Sequence, residues 1–214
     1  MPVWDAWKER PTIVTVSAED DARLKAVYEA RDFWNAELLK LGSSFRLGPI
    51  THVNGRLDLK EFLPKFRTAP FNPFRLPETL RKIDGDVIIA MFDDSFDPFT
   101  QGWLSPKKLL VGIHNGRPES SPDWAGKVET GDPKPNWAAN VVAHELGHAI
   151  GLGDTESPNT LMCSSPLWCL YDYSRDGFLA LTDREKALLI QMYPPDWQDK
   201  TSRKWKGDAP AGAG

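Results

Sequence analysis

The stretch His144-Glu145-Leu146-Gly147-His148-Ala149-Ile150-Gly151-Leu152-Gly153-Asp154 constrains this chain more than any other. Its two histidines stand four residues apart, a spacing that stacks side chains one turn apart on the same side of a helix. Trp137, Asn140 and Val141 fall on that side. Val142, Leu146, Ala149 and Ile150 fall on the other and predict a core-facing surface. Pro135 in the first turn and Asn136 as a cap open the helix, which is expected over Pro135 to Ile150. Gly151, three residues past His148, can take a positive φ, end the helix and turn the chain back beneath the histidines.

Two imidazoles on successive turns can reach one zinc ion, and a catalytic zinc takes three protein ligands and keeps one open position. Asp154, three residues beyond Gly151, arrives where a third ligand is needed. His52 and His114 are the other imidazoles that could serve, but both come from distant segments. Glu145 is rotated from the histidine line yet adjoins the open side. A carboxylate there can take a proton from water and hand it to a leaving amine. The expected site is therefore His144, His148 and Asp154 as metal ligands, Glu145 as the catalytic base and Gly151 as the helix-ending turn.

With Asn159-Thr160-Leu161-Met162 following, this pattern resembles the metzincin metalloendopeptidases, whose mark is HExxHxxGxx(H/D) and a methionine turn. The aspartate in third place looks like the snapalysin type of small bacterial neutral protease. Phe178 to Pro194 is similar to the closing helix of matrixins. The resemblance is specific over His144 to Met162 and coarse from Pro11 to Pro194. It implies Met162 as an apolar floor beneath the zinc, and a cleft between an upper lobe of sheet and two long helices and a small irregular lower lobe. A protein or peptide substrate would lie extended along an edge strand, expected within Lys107 to Asn115. Cys163 to Tyr173 would wall the pocket beyond the cut, with Tyr171 or Tyr173 able to assist the oxyanion. An extracellular setting follows from the same resemblance. A zinc amidase acting on cell-wall peptides, and a non-proteolytic binding module on the same scaffold, are the other functions such a site could serve.

The rest of the chain predicts an α/β (α+β) domain with a twisted mixed sheet. Pro11 to Ser17 and Lys108 to His114 read as strands, as does Ser44 to Thr51. Gly85 to Phe92 is the most apolar short run and reads as a buried, parallel strand. Behind a capping box of Ser17 and Asp20, the spacing from Leu24 to Leu41 predicts a helix of about 22 residues, stopped by Gly42. Asn54 to Pro77 is expected to be an irregular crossing. Thr182 with Glu185 caps a last helix that Pro194 and Pro195 end. One domain is expected over residues 1–195, with an upper lobe of about 11–151 and a lower lobe of about 152–195. A loose tail over 196–214 follows it. A gluzincin would need a downstream glutamate on a helix as ligand, for which Glu185 is the only candidate, and Asp154 makes that reading unnecessary.

Composition narrows the partners. Lysine and arginine total 26 against 30 acidic residues, a net charge of −4, which argues against phosphate-backbone binding. No apolar run approaches the roughly eighteen residues of a membrane span. Met1 to Arg10 lacks the basic-then-apolar pattern of a signal peptide. The two cysteines, Cys163 and Cys169, are too few for a disulfide scaffold and can be either one small loop or two thiols. Asp172, Ser174, Asp176, Gly177 and Asp183 copy much of a calcium-loop spacing, the alternative being a turn into the last helix. The chain is expected to act as a monomer.

Overall fold

The apolar run Val87-Ile88-Ile89-Ala90-Met91 is buried at every position, which requires cover on both faces. A computed structural model describes residues 5–60, 62, 75–94, 98–104, 107–114, 137–163 and 177–200. It is mixed α/β. Along the chain run β1 (Ile13–Ser17), α1 (Leu24–Lys40), β2 (Ile50–Asn54), α2 (Glu78–Arg81), β3 (Val87–Met91), β4 (Phe99–Leu104), β5 (Lys107–Ile113), α3 (Trp137–Ala149) and α4 (Asp183–Met192). The strands form one sheet in the order β2-β1-β3-β5-β4. All neighbours are parallel except β4, which runs antiparallel to β5.

The alternation of the strands splits the core in two. Ile13, Val87, Ile89, Met91, Leu109, Val111 and Ile113 pack with α1 and α3 on one face. Val14, Val16, Ile88, Ala90 and Leu110 pack with Leu59, Phe62, Leu76 and Leu80 on the other. Among the described residues no helix is long and apolar enough to cross a membrane.

Three expectations are corrected. First, Lys107–Ile113 is an interior strand, because β4 pairs along its outer side; the edges are β2 and β4. Second, the strand expected at Ser44 to Thr51 begins only at Ile50. Before it, the Asn35 side chain takes both backbone groups of Leu47, and Pro49 has no N–H for a ladder. Third, α1 has 17 residues, without the Ser17–Asp20 box. Ser17 ends β1 and its hydroxyl donates to the Ala18 carbonyl, while Asp21 accepts from Arg23. Arg23 in turn donates to the Phe92 carbonyl at the end of β3, tying the start of the helix to the sheet. Of the tail expected over 196–214, residues 201–214 lie outside the described residues, and residues 196–200 pack on the N-terminal segment. Trp197 donates to the Trp7 carbonyl and stacks edge-on against Phe45, and the Lys200 amide donates to the Lys8 carbonyl.

After α3 the described residues hold no strand or helix until α4, only isolated bridges joining Thr155 to Cys163 and Thr160 to Ala180. The last helix carries the expected capping box, Thr182 with Glu185.

Candidate metal centre

The site grows from the last two turns of α3. One face of this helix lies in the core through Val142, Ala143, Leu146 and Ala149. His144 and His148 therefore leave from another side, with ring centroids 4.7 Å apart. The helix ends where Gly151 turns left-handed, at φ 104°. The Gly151 amide donates to the His148 carbonyl and the Leu152 amide to the Gly147 carbonyl, satisfying groups that a helix end otherwise leaves open. This tight reversal brings Asp154 back to the histidines. Its Oδ1 lies 3.5 Å from Nε2 of His144 and 3.3 Å from Nε2 of His148. One ligand atom from each of the three residues lies within 4.8 Å of the others.

The other ring nitrogens are committed. Nδ1 of His144 is 2.8 Å from the Leu161 carbonyl and Nδ1 of His148 is 2.9 Å from the Leu152 carbonyl. A carbonyl only accepts, so both Nδ1 atoms carry a proton, and in the neutral rings both Nε2 lone pairs face Asp154. Such outer partners orient metal-binding imidazoles and raise their basicity. Burial alone would make the His148 imidazolium less stable, but the Asp154 carboxylate, Glu145 and the Leu152 carbonyl overcome it and leave its pKa raised. Protons therefore compete with a cation for this nitrogen.

Glu145 is buried, and burial raises its pKa against the opposing pull of His144, His148 and a hydrogen bond from Thr100. Thr100 lies on β4, so the antiparallel edge of the sheet reaches the glutamate directly.

The turn expected at Asn159 to Met162 is present. Asn159 is left-handed at φ 56°, and the Cys163 amide closes on the Thr160 carbonyl. Met162 is buried against Gly147, which lies between the two histidines in the helix. A Cβ at Gly147 would overlap the Met162 sulfur and crowd Cζ2 of Trp34 at 3.0 Å. Glycine at that place in the motif thus makes room for the methionine.

Other expected residues fall elsewhere. His52 sits on β2, at the far edge of the sheet, with Nδ1 3.0 Å from the Thr15 hydroxyl. His114 is buried against Trp137. Glu185 spends Oε2 on the Thr182 amide within its capping box. Asn140, on the histidine side, clasps the Gly177 carbonyl and the Leu179 amide. Cys163 is buried and disulfide-bonded. Outside the described residues lie Cys169, Tyr171, Tyr173, Pro135, Asn136 and the calcium-loop positions Asp172, Ser174 and Asp176. Asp183, the last position of that pattern, is exposed and paired with Lys186.

Three residues that support the site were not read from the sequence. Thr100 is one. Trp7 and Tyr193 are the others: the indole donates to the Ala149 carbonyl and the phenol to the Ile150 carbonyl, at the C-terminal end of α3. None belongs to a local motif. Against known proteins, the chain matches no family model and no curated sequence.

Proposed function

We propose that this chain is a zinc hydrolase. More particularly, it is a metalloendopeptidase of metzincin type that cuts internal peptide bonds. The observation carrying the reading is the converging set of His144 Nε2, His148 Nε2 and the Asp154 carboxylate, with a buried glutamate beside them. Two neutral imidazoles and one carboxylate are a nitrogen–oxygen donor set that fits zinc, and three ligands leave a coordination position open. The fixed Nδ1 protons fit it as well, since they leave both Nε2 atoms as donors to the ion.

Bound there, zinc would supply Lewis-acid polarisation and make water a nucleophile near neutral pH. The chain's own residues do the rest. Glu145 accepts the proton of the attacking water on its carboxylate and returns it to the departing amine. Its enclosure favours the proton-bound form, which suits a group that must hold a proton for part of the cycle. The outer edge of β4 carries no neighbouring strand among the described residues and passes Glu145 at Thr100. An extended peptide can add to that edge backbone to backbone, placing a scissile bond beside the carboxylate. β4 thus replaces Lys107–Ile113 as the strand that receives substrate.

The test is zinc content and casein cleavage on one preparation of wild type, Glu145→Ala and Asp154→Ala. Wild type is expected to hold one zinc and cut. Glu145→Ala should keep zinc and lose cutting, and Asp154→Ala should lose zinc. Wild type that holds zinc, leaves casein intact and cuts a muropeptide would replace this reading with a cell-wall amidase.

A further inference from the structure

The contact between β4 and α3 at Glu145 has a direction. Thr100 Oγ1 lies 2.7 Å from Oε2 of Glu145 and 3.0 Å from the Glu145 carbonyl oxygen. A threonine hydroxyl has one proton to give, and the side-chain oxygen of Glu145 is the nearer of the two acceptors. Among the described residues no other side chain donates to that carboxylate.

Thr100 is itself well placed to hold something. It is β-branched, with few χ1 choices. It sits opposite Val111 in the ladder with β5. Its neighbour Phe99 packs against Gly112, where any Cβ would overlap the ring. The donor is therefore fixed by the sheet, whereas a glutamate on a helix has three side-chain torsions to settle.

We propose that Thr100 is a positioning residue: it holds Glu145 by Oε2 and leaves Oε1 as the oxygen that receives the proton. The proposal rests on the metalloendopeptidase reading. It adds that the strand expected to receive the peptide also aims the base.

Thr100→Val keeps the shape and removes the hydroxyl; Thr100→Ser keeps the hydroxyl. Chelator competition for zinc and steady-state cleavage are measured for both. Thermal unfolding of the metal-free protein is followed in the wild-type and Glu145→Ala backgrounds. Thr100→Val should bind zinc as wild type does, keep KM within about twofold and lose kcat by about 10–100-fold, the scale of a lost supporting hydrogen bond at such sites. Thr100→Ser should recover most of kcat. Without metal, Thr100→Val should lower Tm more in the wild-type background than in Glu145→Ala, where no carboxylate remains to be stranded. Unchanged kcat in Thr100→Val, no recovery in Thr100→Ser, or equal Tm losses in both backgrounds would overturn the assignment while wild type still cuts. A wild type that holds zinc and cuts nothing would overturn the endopeptidase reading, and this role with it.

Discussion

The two histidines and the aspartate meet in one place but are held by different means. The imidazoles project from α3, and their side chains are 12% and 15% exposed; the Asp154 side chain is 54% exposed. Besides packing its core face, the core secures the helix by three side-chain hydrogen bonds. Trp34 donates to the Ala143 carbonyl, Trp7 to that of Ala149 and Tyr193 to that of Ile150. The turn carrying Asp154 and Met162 is anchored at its two ends by the buried Leu152, Leu161, Met162 and the disulfide-bonded Cys163, and between them by backbone contacts such as the Thr155 amide on the Met162 carbonyl. It is held also by the histidines themselves, through the carbonyls of Leu152 and Leu161. Half of the centre is thus built by the fold before any ion arrives. The exposed part of the turn, which carries Asp154, leans in part on the residues that the ion would bind.

The sharpest way to break this contrast is to remove ligands one at a time. His148→Ala should abolish stoichiometric zinc, and it also removes the proton donor to the Leu152 carbonyl. Asp154→Ala should weaken zinc beyond the roughly 10–100-fold of an outer-sphere loss while leaving the turn's backbone contacts in place. Metal removal makes the same point without mutation. Hydrogen exchange on metal-free protein should show faster amides from Leu152 to Cys163 and unchanged protection in Val142 to Leu146. Equal loss in both segments would show that helix and turn are one cooperative unit.

Helix and turn also differ in how far they can be read from the sequence. His144, Glu145, His148, Gly151 and Asp154 lie within eleven consecutive residues, so helix periodicity and one left-handed glycine are enough to place them. β3 is equally plain, because a strand covered on both faces must be apolar throughout. β4 is not: Phe-Thr-Gln-Gly-Trp-Leu neither alternates nor is rich in β-branched residues, as a partly exposed edge strand need not be. Without β4, the sequence pattern leaves β5 as the sheet edge. Ser44 to Thr51 has strand-like composition, yet the Asn35 side chain outcompetes a ladder for Leu47. Trp7 reaches Ala149 across 142 positions and Thr100 reaches Glu145 across 45, separations over which no spacing rule operates.

Where helix and turn touch, the contact can be overfilled. Gly147→Ala places a methyl group where the Met162 sulfur and Trp34 already pack, and is expected to cost about 1–3 kcal/mol in thermal unfolding. Gly147→Ala combined with Met162→Ala should recover part of that loss if the thioether is what the methyl meets. Tyr193→Phe tests the helix side alone. It removes the donor to Ile150 and the acceptor of the Trp7 amide but keeps the ring stacked on Phe45. A loss of about 1–2 kcal/mol is expected, with zinc affinity little changed if the helix is as independently held as its contacts suggest.

The smallest effect concerns Lys107, which braces the indole that holds Ala149. Its ammonium lies 3.9 Å from the Trp7 ring centroid and donates to the Asp5 carbonyl at 2.6 Å. Burial pulls its pKa down from 10.5 to about 8, against the attraction of Asp5 and Asp86 and with a small push from Lys8. Between those two values the unfolded chain binds the proton that the folded chain has released, so this lysine makes stability rise with pH across the window. Below about pH 8 both states are protonated and the cost of burying the charge is present in full. Partial solvent contact keeps the contribution to about 1 kcal/mol or less. Unfolding free energies of wild type and Lys107→Met, measured from pH 7 to 10.5, should therefore diverge in slope above about pH 8, wild type gaining on the variant. Parallel curves would mean that the ammonium stays hydrated and that Trp7 holds the helix end without it.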